Sequence, residues 1–391
     1  MKKSLIALAV LGAFSGAAFA DGSNVQLYGL IDLGLSHVSG LSGGATGVGS
    51  PTENATGLSS GVAAGSRIGV KGTEDLGNGL TALFTVETGF CAAGLNQAQA
   101  VGSATASTGP SGGYCSGGGF MQRQSFAGLT GDFGTVIGGR MNTPLYNEET
   151  AADPFGYGMA GTIGNLSITG GETKGLLQRV NQTVAYVTPN FSGFTGTAAY
   201  SFAPLKTGGN VPTTTLLDSN VPRALVLDGK YAGGPLTVGA DYTEVTNEVV
   251  NTVGVNDGSE KVILGYGIYD FGVAKVSGLY ERLTADYTTG NDHVWMVGAT
   301  IPAGPGNVLV SYSANDNSLG GLTSANAKQY ALGYTYALSK RTNLYTSYSH
   351  LTNDMNTAFV AGDSTDNLAN GLVGVKDAAS SGFDFGIRMQ F

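Results

Sequence analysis

The residues of this 391-residue sequence with most chemistry to offer are charges set inside apolar, alternating stretches. In RIGVKGTEDLG, Arg67 and Lys71 alternate with Ile68 and Val70; in LTALFTVETG, Glu87 opposes the face of Leu80, Ala82, Phe84 and Val86. Strand side chains point to opposite faces with period two, so each run has one apolar face and one face that carries charge. SSGFDFGIRMQF repeats the pattern: Phe383, Phe385, Ile387, Met389 and Phe391 share a face, and Asp384 and Arg388 take the other. A guanidinium stays charged and is less strongly hydrated than an ammonium, so arginines on one wall supply a permanent field rather than a proton or a nucleophile.

Covalent chemistry finds no such support. Gly57–Gly61 has the form G-x-S-x-G around Ser59, but a nucleophile elbow needs a strand before it and a helix after it, and this stretch is glycine and serine filler. The glycine-rich run Gly128–Gly134 has no following helix or lysine, which makes it a hairpin turn rather than a phosphate cradle. His37, His293 and His350 are single and widely separated, so no metal, cofactor or catalytic triad is expected, and no enzymatic activity. The two cysteines, Cys91 and Cys115, bracket another Gly/Ser-rich segment; in an exported chain that spacing reads as a disulfide tying a loop down.

Export is written at the amino terminus. Lys2 and Lys3, the apolar run Leu5–Phe14 and the closing Ala18-Phe19-Ala20 are the three parts of a signal peptide cleaved after Ala20. The run is shorter than the ~20 apolar residues a spanning helix needs, and nothing later is longer. Membrane residence would therefore require a closed barrel, the only other spanning fold that satisfies every backbone polar group. Sixty-four glycines, 18 tyrosines and 16 phenylalanines suit turns and interfacial aromatic girdles. Without Lys2 and Lys3 the mature chain has 17 basic against 28 acidic residues, a net charge of −11, which argues against nucleic acid as a partner.

Residues 21–391 read as one all-β domain. The first strand is Val25–Val38, with Val25, Leu27, Ile31, Leu33 and Leu35 on one face and Asp32 on the other, followed by a loop to Gly65. Strands then recur in hairpins to the carboxy terminus, short turns alternating with longer loops, and the count is 16. An even count returns the chain to the side on which it began. The phase near Arg123 and Arg140 is ambiguous: both face the interior only if the outer face tolerates Gln124 or the register breaks.

SRIGVKGTEDLGNGLTALFTVETGF, RQSFAGLTGDFGTVIGGRMNTPLY and the terminal FDFGIRMQF resemble the Gram-negative general porins of the β-proteobacterial, neisserial type, over essentially the whole mature chain. The resemblance implies a 16-stranded antiparallel transmembrane β-barrel in the outer membrane, assembled as a homotrimer among outer-membrane lipid and lipopolysaccharide. Each barrel would be a passive, water-filled pore for ions and small hydrophilic solutes, narrowed by an inward-folded loop. By position that constriction loop is residues 143–177, with Glu148, Glu149 and Asp153 as its acids and Glu87 as an acid on the wall. The basic wall corresponds to Arg67, Arg123 and Arg179, joined by Lys71, Arg140 and Arg388, and the near balance of charges implies a weak anion preference. Phe385, Gly386, Met389 and Phe391 fall in the terminal strand that the family's barrel-assembly machinery reads. The rival readings are an adhesin or receptor acting through surface loops, and a barrel hydrolase.

Overall fold

The computed structural model describes residues 24–42, 50–93, 122–169, 177–203, 222–246, 258–362 and 373–391. The leader 1–20 and Cys115 lie outside them. The first strands are β1 Asn24–Ser42, β2 Glu53–Ser60, β3 Arg67–Gly77, β4 Leu80–Gly89, β5 Gln124–Gly131 and β6 Gly134–Asn142. A helix, α1 Pro144–Ala152, opens the long connection to β7 Arg179–Val187 and β8 Phe194–Ser201. Then come β9 Arg223–Gly233, β10 Leu236–Thr246, β11 Ser259–Asp270, β12 Lys275–Ala285, β13 Asn291–Ala303 and β14 Gly306–Asn317. The last are β15 Asn326–Ala337, β16 Thr342–Asn353, β17 Val373–Gly374 and β18 Ala379–Gln390.

These 18 segments form one antiparallel sheet that closes on itself where β1 pairs with β18, from Leu30↔Gln390 to Ser39↔Ser381. Two segments do not add barrel positions. The 19-residue β1 pairs with β3 along Asn24–Leu30 and with β2 along Leu33–Leu41, so β2 and β3 are two halves of one interrupted strand. Likewise β17 continues the line of β18 along β1, from Leu41↔Gly374. The barrel thus has 16 strands. The expected loop to Gly65 contains β2, hidden in the sequence because ENATGLSS is small and polar where a barrel strand is usually apolar on alternate residues.

Alternation decides which face meets lipid. Phe383, Phe385, Ile387, Met389 and Phe391 are exposed on the outside, as are Val25, Leu27, Ile31 and Leu35, while Asp384 and Asp32 are buried inside. A register shift in the pairing of β6 with β7 between Gly139 and Met141, with Gly139 at φ 143°, supplies the break that the phase near Arg140 demanded.

The closing seam is packed around one aromatic residue. Gly34 and Gly386 are register partners on β1 and β18, and the ring of Tyr345 on β16 lies across both to donate its hydroxyl to Asp32 Oδ1 at 2.6 Å. A Cβ on Gly386 would stand 2.2 Å from the Tyr345 hydroxyl oxygen, and one on Gly34 2.7 Å from it. Gly386→Ala is therefore expected to destabilise the barrel by about 1–3 kcal/mol, as overpacking does. Denaturant unfolding in lipid vesicles checks it; in a Tyr345→Val background, where the ring is gone, the loss should shrink markedly.

Candidate functional site: the constricted lumen

The basic side of the lumen is organised by Glu87. Tyr28, Gly69, Glu87 and Gln124 occupy one row across β1, β3, β4 and β5. Gly69 has no side chain, so the Tyr28 ring lies over it and its hydroxyl reaches Glu87 Oε2 at 3.1 Å. Arg67 Nε stands 3.6 Å from the same oxygen, and Arg123 Nε donates to Glu87 Oε1 at 2.5 Å. Arg123 falls just before β5, at the loop end of the strand, with its backbone N–H on the Glu87 carbonyl. Lys71 places its ammonium 5.4 Å from the centre of the Tyr28 ring. One buried carboxylate thus orients two guanidiniums, and the cluster stays net positive.

Two further arginines continue this wall. Arg140 donates from Nε to the Gln122 carbonyl at 2.5 Å and from a terminal nitrogen to Asn181 Oδ1 at 2.6 Å. Arg179, opposite Asn142 in the register, sits 5.4 Å over the ring of Tyr146 from α1. Arg388 pairs in register with Asp32 and donates to Asn343 Oδ1 at 3.1 Å, near the seam rather than with the other arginines.

The connection after β6 folds against the opposite wall. Thr143 caps α1, its hydroxyl accepting from the Tyr146 N–H, and Pro144 occupies the first helical position. That Thr-Pro start is a helix signal readable in the sequence. The helix packs on β9–β12. Beyond it, Asp153 folds the chain into a compact turn by accepting the N–H groups of Phe155, Tyr157 and Ile163 at 3.0–3.1 Å. The tip reaches β15, β16 and β18. Asn165 and Gln329 are joined at 2.7 Å, Gln329 also holds the carbonyls of Gly161 and Thr162, and the Ala160 N–H is shared between Ser347 and Asp384. Of residues 143–177, 170–176 lie outside the described residues.

Glu148, Glu149 and Asp153 are 5%, 0% and 4% exposed, which is not the position of a rim of acids facing the arginines across open water. Glu148 takes the ammonium of Lys230 on β9 at 3.2 Å. Glu149 accepts from Thr169 and faces Glu281 on β12, whose Oε2 accepts the Ile168 N–H at 3.0 Å. Burial pushes Glu149 well above the ordinary carboxylate range, and the nearby Glu281 carboxyl adds to the rise. Burial also pushes Asp153 up to about 6 against the hydrogen bonds that pull it down. Inward charges that the sequence-based constriction set leaves out are Asp228, Lys230, Asp241, Glu281 and Asp292, beside Asp32 and Asp384, which alternation already places on the polar face of their strands. Alternation exposes several: in RALVLDGKYAG, Asp228 and Lys230 oppose outward Leu225 and Leu227. Ser59 is buried in β2 with no helix after it, and Cys91 is disulfide-bonded.

A closed transmembrane barrel with charge on its inner wall and an inward-packed loop defines a channel protein. Residues 7–356 match the family model described as Gram-negative porin. The chain is 33% identical to outer membrane porin protein 32 of Delftia acidovorans over 90% of both chains, and 31% identical to the major outer membrane protein P.IB of Neisseria gonorrhoeae over 89% of this chain and 92% of that one. In structure it is similar to an anion-selective porin from Comamonas acidovorans, with a TM-score of 0.71 and 28% identity over 94% of this chain and 100% of that one. The chain belongs to the Gram-negative porin family: it is an outer-membrane diffusion porin.

The docked loop should respond to pH. A carboxyl whose docked pKa is raised stabilises docking fully below its undocked value, about 4.3, and loses that contribution as pH rises through the raised value. Open-channel current noise in single-channel records is thus expected to grow as pH is raised from 5 to 9. Glu149→Gln should reduce the trend to the part that Asp153 carries; a wild-type record flat in pH would refute it.

Proposed function

We propose that the pore is anion-preferring because three cations of its lumen, Arg67, Lys71 and Lys230, reach water while most of the inward acids are buried; Arg123 and Arg179 are buried too, and Asp228 is half-buried. The side chains of Arg67 and Lys230 are 27% and 37% exposed, and Lys71 is exposed; Glu87, Glu148, Glu149, Asp153, Asp241, Glu281 and Asp384 are all buried. That contrast is the observation that supports the reading most strongly. An equal tally of inward charges would predict little selectivity, but a charge screened by a paired partner and protein contributes less to the potential a hydrated ion meets. Arg67, Arg123, Arg140 and Arg179 line the side the loop leaves open, and Lys71 and Arg388 extend the basic surface along the lumen.

Glu149 and Asp153 act in this reading as loop anchors, and Glu87 as the group that aims Arg67 and Arg123. Transport is passive: solutes shed part of their hydration against fixed charges, and no step consumes a reactant. The anion-selective porin from Comamonas acidovorans supports the same sign of selectivity. The physiological unit is a homotrimer, with Phe385, Gly386, Met389 and Phe391 in the strand presented to the assembly machinery. In this reading the chain acts as a channel and not as an enzyme.

Planar-bilayer recording under a KCl gradient tests the assignment. Wild type should show stepwise conductances in groups of three and a reversal potential of anion sign. Arg67→Gln with Lys71→Gln should move that potential toward zero or past it while the conductance steps persist. Cation selectivity of the wild type would overturn the proposal.

A further inference from the structure

The wall on which α1 rests repeats the arrangement around Glu87 with the charges exchanged. Tyr266, Gly239, Lys230 and Thr195 occupy one inward row across β11, β10, β9 and β8. Gly239 has no side chain, and the Tyr266 ring lies over it: a Cβ there would stand 2.9 Å from the Tyr266 hydroxyl oxygen. The ring fills the space on the β11 side of Lys230, whose ammonium meets Glu148 Oε1 of α1 at 3.2 Å.

The next inward row toward the long loops carries Asp241 and Asp228, register partners on β10 and β9. Partners of this kind hold their Cβ atoms about 4.5–5.5 Å apart, and like charges so placed oppose one another. Thr243 donates to Asp241 Oδ1 at 2.8 Å, but Asp241 Oδ2 and Asp228 Oδ1 have no hydrogen-bond partner among the described residues. Glu148 adds its charge to the surroundings of both aspartates. Three carboxyls thus gather where α1 meets the wall, and Lys230 stands beside them. Among the described residues of β8–β11 it is the only inward Lys or Arg, because Arg223 is in phase with outward Leu225 and Leu227, and Lys261 with outward Ile263.

Exposure divides the group. The Lys230 side chain is 37% exposed against 6% for Glu148, Asp241 is buried and Asp228 half-buried. An ion passing this wall therefore meets the ammonium first, with the carboxyls behind it. Low-dielectric walls focus the field of such charges into the channel.

We infer that Lys230 is the selectivity-determining residue of the α1-side wall: its ammonium covers Glu148, Asp228 and Asp241, and without it the wall presents acids alone. The inference rests on the anion-preferring reading of the pore and adds that one lysine on this wall sets the sign together with the cations opposite. A unit charge ~4 Å from an ion's path changes local ion concentration about fivefold even at the dielectric constant of water. Lys230→Gln should thus lower the chloride-over-potassium permeability ratio about fivefold, and Lys230→Arg should keep it within about twofold of wild type. Glu148→Gln alone should raise the ratio, and Lys230→Gln with Glu148→Gln should return it to within about twofold of wild type, since opposite charges are then lost at one place.

Reversal potentials in planar bilayers under a KCl gradient measure all four variants against wild type. An unchanged ratio in Lys230→Gln overturns the inference. So does a double variant shifted as far as Lys230→Gln, the result expected if the lysine merely holds α1 on the wall. Glu148→Gln decides if Lys230→Gln does not fold: an unchanged or lowered ratio overturns the inference. A cation-selective wild type would overturn the anion-preferring reading instead, and the comparison among variants would still stand.

Discussion

In hydrocarbon no water replaces a missing backbone hydrogen bond, and each unsatisfied group there costs several kcal/mol. That constraint is met here at one seam, the ladder between β1 and β18. An open sheet of these strands would leave two long edges in lipid; closure leaves none. The seam is also tightly packed inside, with Tyr345 laid over two glycines and hydrogen-bonded to Asp32.

Closure in turn creates the interior against which the constriction loop folds. Asp384 projects inward from β18 and shares the Ala160 N–H with Ser347 of β16. The tip of the loop is thus held by the strand that completes the barrel. Farther back, α1 lies on β9–β12 and inserts Glu149 against Glu281. The loop consequently covers acids of one wall and leaves Arg67 and Lys71 of the other in contact with water, while Arg179 packs against its Tyr146. Placement of one segment, more than the number of charges, sets the field that an ion meets.

Glutamate 87 shows how a wall of like charge is kept in place. Four inward cations near one another would repel and splay; a buried carboxylate between Arg67 and Arg123 holds both guanidiniums, while Tyr28 fills its remaining hydrogen-bonding capacity. The arrangement needs glycine at position 69, because any side chain there would meet the Tyr28 ring.

Period-two alternation made the barrel legible from sequence, since a lipid-facing position tolerates little but apolar side chains and so writes the outer face directly into the residue order. Arg67, Lys71, Glu87, Asp384 and Arg388 could be placed indoors on that ground alone. Small polar β2 and two-residue β17 left no such trace, and α1 was announced only by its Thr-Pro cap. Which inward charges reach water was beyond the sequence. Glu148, Glu149 and Asp153 look like solvated acids in a loop, and only the packing of that loop on β9–β18 removes them from the lumen. The reason is range: alternation is a local property of neighbouring residues, whereas the exposure of Glu149 depends on Glu281 and Thr169, which the chain brings to it only when the barrel is closed.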